Sequence, residues 1–236
     1  MKKQEISLRF TFYWLILYLI GINAAVVLSQ AVGTENLFTA IFGCLFVTAM
    51  LICLMKSNLL KVSGFQSVRQ LNHRELLYYL PMLIYAGSNL WFGFQVKNSL
   101  SQIALISISM LCVGFIEEMI FRAFLINALS PKYKKAAVFI SALLFGGLHM
   151  LNLLGGAEFY ITLLQVLNTA SFGLMCAAFY YRTNRIMPCI LCHGIYNVCD
   201  TFMIEQLSSG FYLAQGLVIL VSLGYAAYLL IRSNDN

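Results

Sequence analysis

The sequence predicts an all-α polytopic membrane protein, a bundle of about eight transmembrane helices enclosing a polar pocket. Three observations carry that expectation. The 236 residues are 61% hydrophobic and 10% charged, with a mean hydropathy of +0.81, outside the range of an ordinary soluble domain. Apolar runs close to the ~20 residues needed to cross a ~30 Å hydrocarbon core recur along the whole chain. All but two of the 15 Lys and Arg residues fall into alternate connecting segments, the asymmetry that keeps basic loops cytoplasmic.

The expected spans lie at roughly 10–32, 37–55, 76–95, 103–129, 136–154, 159–181, 186–204 and 211–231, each near the crossing length. The first follows Lys2, Lys3 and Arg9 and ends near Ser29-Gln30-Ala31, as a signal peptide would. Its apolar stretch exceeds the ~7–15 residues of a signal core, so it reads as a retained span. Aromatic clusters at Phe12-Tyr13-Trp14, Tyr78-Tyr79, Trp91-Phe92 and Tyr180-Tyr181 fall near span ends, where such rings anchor helices at the interface. The segment 56–76 is basic with scattered leucines and reads either as a connector or as a stretch lying along the inner membrane surface. His73 within it reads as solvated. Neither a repeat nor a low-complexity tract is visible, so residues 1–236 read as a single transmembrane domain.

With the N-terminus inside, every basic residue except Lys97 and Arg122 is cytoplasmic, which places both termini in the cytoplasm. The net charge of +6 then reports topology rather than a nucleic-acid surface. The seven cysteines all fall within expected spans, which argues against a disulfide framework. Cys189-Ile-Leu-Cys192-His193 has the CxxCH spacing of c-type haem attachment. That chemistry needs an extracytoplasmic loop, and these residues sit inside the cytoplasmic end of an apolar helix. No haem is expected, and both thiols read as packing groups, with zinc on the two thiols as the alternative.

The chemistry lies in the polar residues that interrupt the apolar runs. A charge at mid-membrane costs about 2.5–3.5 kcal/mol on insertion scales, so such groups face the bundle interior and usually act there. In GFIEEMIFRAFL (114–125), Glu118 and Arg122 are four apart on one helical face, the spacing of an ion pair. Glu117 is turned about 100° away and has no local partner. In a later span His149 follows Phe145 by four residues, with Gly146 and Gly147 between them admitting a second backbone. His193 and Asn197 are again four apart. Counted at 1.5 Å per residue from the cytoplasmic ends, His193 lies about 10 Å deep, Asn197 about 16 Å, His149 about 20 Å and Glu117 about 8–18 Å, compatible with one pocket opening to the cytosol. One such residue alone is often interhelical glue worth about 0.6 kcal/mol. Four of them on three helices point instead to a shared site.

These motifs, Glu117-Glu118-xxx-Arg122, Phe145-xxx-His149 and His193-xxx-Asn197, resemble in identity and order those of the CPBP intramembrane proteases, which include the CAAX prenyl endopeptidases and bacterial bacteriocin-immunity proteins. The resemblance covers about residues 114–200 and implies a catalytic core at roughly 103–204. It implies that Glu117 and His149 hold and deprotonate a water while His193 and Asn197 stabilise the oxyanion of peptide hydrolysis. The chemistry agrees: a carboxylate withdrawn from water is a better proton acceptor near neutral pH, and Asn is an amide donor but a poor zinc ligand. The family's older metalloprotease label keeps a zinc ion on Glu117, His149 and His193 open, although no HExxH is present. No other cofactor is implied.

Nothing in the chain reads a prenyl group, and its compactness resembles the bacterial branch, associated with bacteriocin self-immunity and peptide trimming. The expectation is an endopeptidase of a bacterial cytoplasmic membrane whose partners are the bilayer and a short peptide or membrane-protein substrate, with no nucleic acid. The alternatives are a non-catalytic immunity protein that binds a bacteriocin or its receptor, and a small transporter, against which the lack of a repeat speaks.

Overall fold

A computed structural model describes residues 6–66, 79–204 and 208–232. His73 and residues 67–76 of the basic segment lie outside the described residues. The chain forms a polytopic all-α bundle. Its helices are α1 (Leu8–Val32), α2 (Leu37–Lys56), α3 (Leu80–Ala86), α4 (Leu100–Glu118), α5 (Asn127–Tyr133), α6 (Ala136–Leu148), α7 (Phe159–Thr183), α8 (Met187–Phe202) and α9 (Ser209–Ile231). A π-helical stretch, Met119–Ile126, joins α4 to α5 in one continuous helical run, and 3₁₀ turns follow α3 (Ser88–Phe92) and α6 (His149–Gly155).

Among the described residues, six stretches are long and apolar enough to cross a membrane: Leu8–Val32, Leu37–Lys56, Leu100–Tyr133, Ala136–Gly155, Phe159–Thr183 and Ser209–Ile231. Two of the eight expected runs are helical but shorter. The run near 76–95 contributes α3, 7 residues, before Gly87 and a 3₁₀ turn interrupt it. The run near 186–204 contributes α8, 16 residues, which starts at the Met187-Pro188 pair, where proline's fixed φ and missing N–H suit a first turn. Large apolar side chains such as Ile20, Leu45, Leu143 and Leu220 stand exposed along the spanning helices, as a lipid-facing surface requires.

In lipid, apolar burial does not drive one helix against another, so close packing and polar contacts must do it. The tightest crossing is α4 against α8, where Gly114 faces Gly194. A Cβ on Gly114 would lie 2.7 Å from the Gly194 backbone nitrogen and 2.8 Å from its Cα. Glu117 and Glu118 follow Gly114 by one turn and His193 precedes Gly194, so this crossing places the carboxylates beside the imidazole. Of the glycine pair between Phe145 and His149, Gly146 meets α7, its Cβ position 2.7 Å from that of Ala170, whereas Gly147 faces open space.

Below the crossing, all eight residues of Met119–Ile126 are buried. Loop 57–66 packs into this end rather than lying flat. Val62 oxygen accepts from Asn127 Nδ2 (3.2 Å) and Tyr180 Oη (3.2 Å), and Gly64 oxygen accepts from Ile186 nitrogen (3.2 Å). At the opposite end Gln95 nitrogen donates to Phe202 oxygen (2.9 Å) and Ile204 nitrogen to Gly93 oxygen (3.1 Å), clamping the segment after α3 to the end of α8.

The crossing supplies a direct test. Gly114→Ala forces two backbones apart and is expected to lower stability in detergent by about 1–3 kcal/mol, with activity falling alongside. Gly147→Ala, which meets nothing, is expected to be neutral or slightly stabilising by helix propensity. Thermal unfolding of both variants checks the pair; equal melting temperatures would refute the contact.

Candidate active site

The structure assembles the three motifs around one buried charge system. Glu118 and Arg122, both fully buried, pair through Nη2 and Oε1 at 3.0 Å and through Nε and Oε2 at 3.0 Å, the second too oblique for a hydrogen bond and acting as a charge contact. Arg122 also donates to Ser141 Oγ at 3.4 Å, and Ser141 Oγ donates to Phe121 oxygen at 2.7 Å. The guanidinium carbon lies 4.6 Å over the Phe145 ring, a cation–π contact strengthened by the absence of water. Phe145, which reads in the sequence as motif support, is thus the floor under the arginine.

Glu118 reaches across to α8. Its Oε1 lies 3.0 Å from His193 Nδ1; the carboxylate can only accept, so Nδ1 carries the proton and Nε2 is directed elsewhere. Nε2 lies 3.6 Å from Glu117 Oε2. Phe145 and Phe172 meet the imidazole edge-on, with ring centroids 5.6 and 5.1 Å away. Two aromatic rings and one nitrogen partner hold His193, leaving Nε2 for chemistry.

Glu117 has a partner that the sequence did not suggest. Tyr18 on α1 donates its hydroxyl to Glu117 Oε1 at 2.8 Å, and its ring is 5% exposed. The signal was available: a tyrosine in mid-span rather than at the interface needs a hydrogen-bond partner. With Oε1 held by Tyr18, Oε2 remains for the cavity. His149, the residue after α6, lies 3.0 Å through Nδ1 from Phe145 oxygen, so by the same reasoning its Nε2 carries the lone pair. No hydrogen bond or ion pair joins His149 to Glu117; the protein group nearest the carboxylate on α8 is His193. Both histidines, Glu117 and Asn197 line one cavity of about 660 Å³.

The cavity opens away from the basic loops. Beyond Glu117 and His193 it is lined by the first turns of α7 (Ile161, Gln165) and α9 (Phe211, Gln215) and the last turn of α8 (Asp200, Thr201). These helix ends adjoin the connections 155–158 and 203–208. Lys132, Lys134, Lys135, Arg182 and Arg185 mark the other end of the same helices. The cavity thus extends toward the end remote from these basic residues, while the depths counted along each helix locate the site residues themselves. A wall of this cavity is polar, with Tyr85 donating to Asn168 and Asn168 to Gln215.

As metal ligands, Glu117, His149 and His193 do not converge into a close set. Among the described residues, only Glu118, Cys176 and Cys189 bring three ligand atoms within 4.8 Å of one another, and there Arg122 sits on the carboxylate, opposing a second cation. Cys189 and Cys192 do not form a paired thiol site: Cys189 Sγ donates to Cys176 oxygen at 3.5 Å and Cys192 Sγ to Met82 oxygen at 3.1 Å.

The charge system predicts unequal effects of neighbouring substitutions. Glu118→Gln strands Arg122 in a dry interior and is expected to cost about 3–5 kcal/mol. Adding Arg122→Met removes the stranded charge and should return most of that stability, while the introduced amide still offers an oxygen to His193. Thermal unfolding of single and double variants reads this directly; a double variant no more stable than the single would exclude a stranded charge as the cause.

Residues 99–199 match the family model described as type II CAAX prenyl endopeptidase, Rce1-like. No curated protein and no solved structure matches the chain. The matched segment starts at Ser99, the capping residue of α4, and contains Glu117, Glu118, Arg122, Phe145, His149, His193 and Asn197. Over residues 99–199 the chain is therefore similar to the Rce1-like type II CAAX prenyl endopeptidases.

Proposed function

We propose that this protein hydrolyses a peptide bond of a short or membrane-associated peptide, with Glu117 as the group that activates water. The observation that carries the reading is the placement of Glu117: one oxygen held by Tyr18, the other 3.6 Å from a fixed His193, both facing a cavity wide enough for a peptide. Glu117 Oε2 takes a proton from a water as its oxygen attacks the carbonyl carbon, and His149 holds that water from the side of α6. The oxyanion that forms accepts from the Asn197 amide and lies against His193, whose ring is held at Nδ1 by Glu118. Glu117 then returns the proton to the departing amine as the C–N bond breaks. Atoms balance with one water consumed and no group outside the chain required.

The bilayer in question is a bacterial cytoplasmic membrane with both termini inside. The mouth, opposite the basic loops, then faces outward. Glu117→Gln keeps size and hydrogen bonding with Tyr18 but cannot take the proton, and should reduce hydrolysis by about 10²–10⁴ with expression close to normal. Membrane-impermeant fluorogenic peptides added to intact spheroplasts should be cut by wild type and not by the variant. Undiminished cleavage by Glu117→Gln would end the catalytic reading and leave a binding role, such as bacteriocin immunity without proteolysis. Cleavage only after permeabilisation would place the mouth on the cytoplasmic side.

The metal-free form of this reading has its own check. Prolonged chelation should leave activity unchanged, because no ligand set is emptied. Activity lost to chelator and restored by added zinc would show that Glu117, His149 and His193 close around a metal after all.

A further inference from the structure

We propose that Asp200, at the mouth of the active-site cavity, selects peptides carrying a positive charge about three residues from the bond to be cut; this rests on the protease reading above. The cavity lining contains two carboxylates, Glu117 and Asp200, and no lysine or arginine. Among the described residues of the connections at this end of the bundle and the helix turns beside them, Glu35, Glu158 and Asp200 stand against Lys97 alone. A guest entering here meets a negative field in a setting where low-dielectric walls concentrate it.

Asp200 is placed rather than merely present. Asn89, fully buried in the 3₁₀ turn after α3, donates Nδ2 to Asp200 Oδ1 at 2.8 Å, and the clamp of Gln95 and Ile204 onto Phe202 and Gly93 holds the backbone just after it. The residue itself is exposed, so its carboxylate is reachable by a guest while its orientation is set from below. It lies seven residues beyond His193 on α8, which at 100° per residue returns it to within about 20° of the same face, about 10 Å along the axis. An extended peptide covers that distance in about three residues at roughly 3.4 Å each. Between the two positions Asn168, Gln215 and Tyr85 offer polar atoms to a peptide backbone. The charge recognised is that of a lysine or arginine side chain or of a free peptide amine.

The test reads binding and cleavage separately. Fluorescein-labelled decapeptides of alanine, serine and leucine, each with a single lysine, norleucine or glutamate walked through the sequence, are titrated into Glu117→Gln protein in nanodiscs. Lysine at one register should bind about fivefold more tightly than norleucine, and glutamate more weakly. Asp200→Asn in that background keeps an oxygen for Asn89 and should bring lysine peptides down to the norleucine level; Asp200→Lys should reverse the order of lysine and glutamate. With wild-type protein, mass spectrometry of the products should place the favoured lysine three residues from the cut. Equal binding of all three peptide classes, or a lysine preference that survives Asp200→Asn, overturns the proposal whether or not any peptide is cleaved. A lysine preference lost with Asp200, in a protein that cuts nothing, would support the selecting role and count against the protease reading instead.

Discussion

The buried ion pair of Glu118 and Arg122 constrains everything around it. Two full charges inside a lipid-embedded bundle are tolerable only if each is matched and hydrogen-bonded. The structure meets that demand from four directions: Glu118 on the arginine, Ser141 on a second guanidinium nitrogen, the Phe145 face beneath it, and His193 on the same carboxylate oxygen that Arg122 Nη2 reaches. These partners sit on α4 and its π-helical continuation, on α6 and on α8. Satisfying one pair of charges therefore fixes the mutual position of three elements.

That position is also the one the chemistry requires. The carboxylate that neutralises Arg122 orients His193, and the turn that carries it presents Glu117 from the adjacent face. The π-helical widening begins at Met119, immediately after the two glutamates; such irregular turns often occur at functional sites. Gly114 and Gly194 allow α4 and α8 to meet closely enough for the imidazole to reach both glutamates. Tyr18 then ties α1, far away in sequence, to the reacting group. The aromatic floor around His193, Phe145 and Phe172, excludes water from all but the cavity side.

The cavity divides into two parts with different duties. Near Glu117 three groups are each oriented through one atom, Glu117 Oε1 by Tyr18, His193 Nδ1 by Glu118 and His149 Nδ1 by the Phe145 carbonyl, a condition for electrostatic preorganisation. Toward the mouth the wall is richer in polar groups, with Tyr85, Asn168 and Gln215 buried and Asp200 exposed. In the proposed reading, the order along α8, His193 then Asn197 then Asp200, would put chemistry, oxyanion stabilisation and selection on one face of one helix.

How much of this was legible follows from the range of each interaction. The sequence by itself determined the membrane class, because apolar run length answers to bilayer thickness alone. It also determined the i,i+4 pairing of Glu118 with Arg122 and the shared face of His193 and Asn197, because helical periodicity is local. It placed Glu117 apart from its neighbour for the same reason. What it could not supply was any partner reached across helices. Tyr18 on Glu117, Glu118 on His193, and Asn89 on Asp200 join residues 99, 75 and 111 positions apart, and nothing in the local pattern encodes them. Nor does hydropathy register that Gly87 ends α3. The direction of the cavity was decided by tertiary structure alone: polar residues on several helices show that a pocket exists, but which way it opens depends on where those helices spread apart, a property of packing angles that no single helix carries.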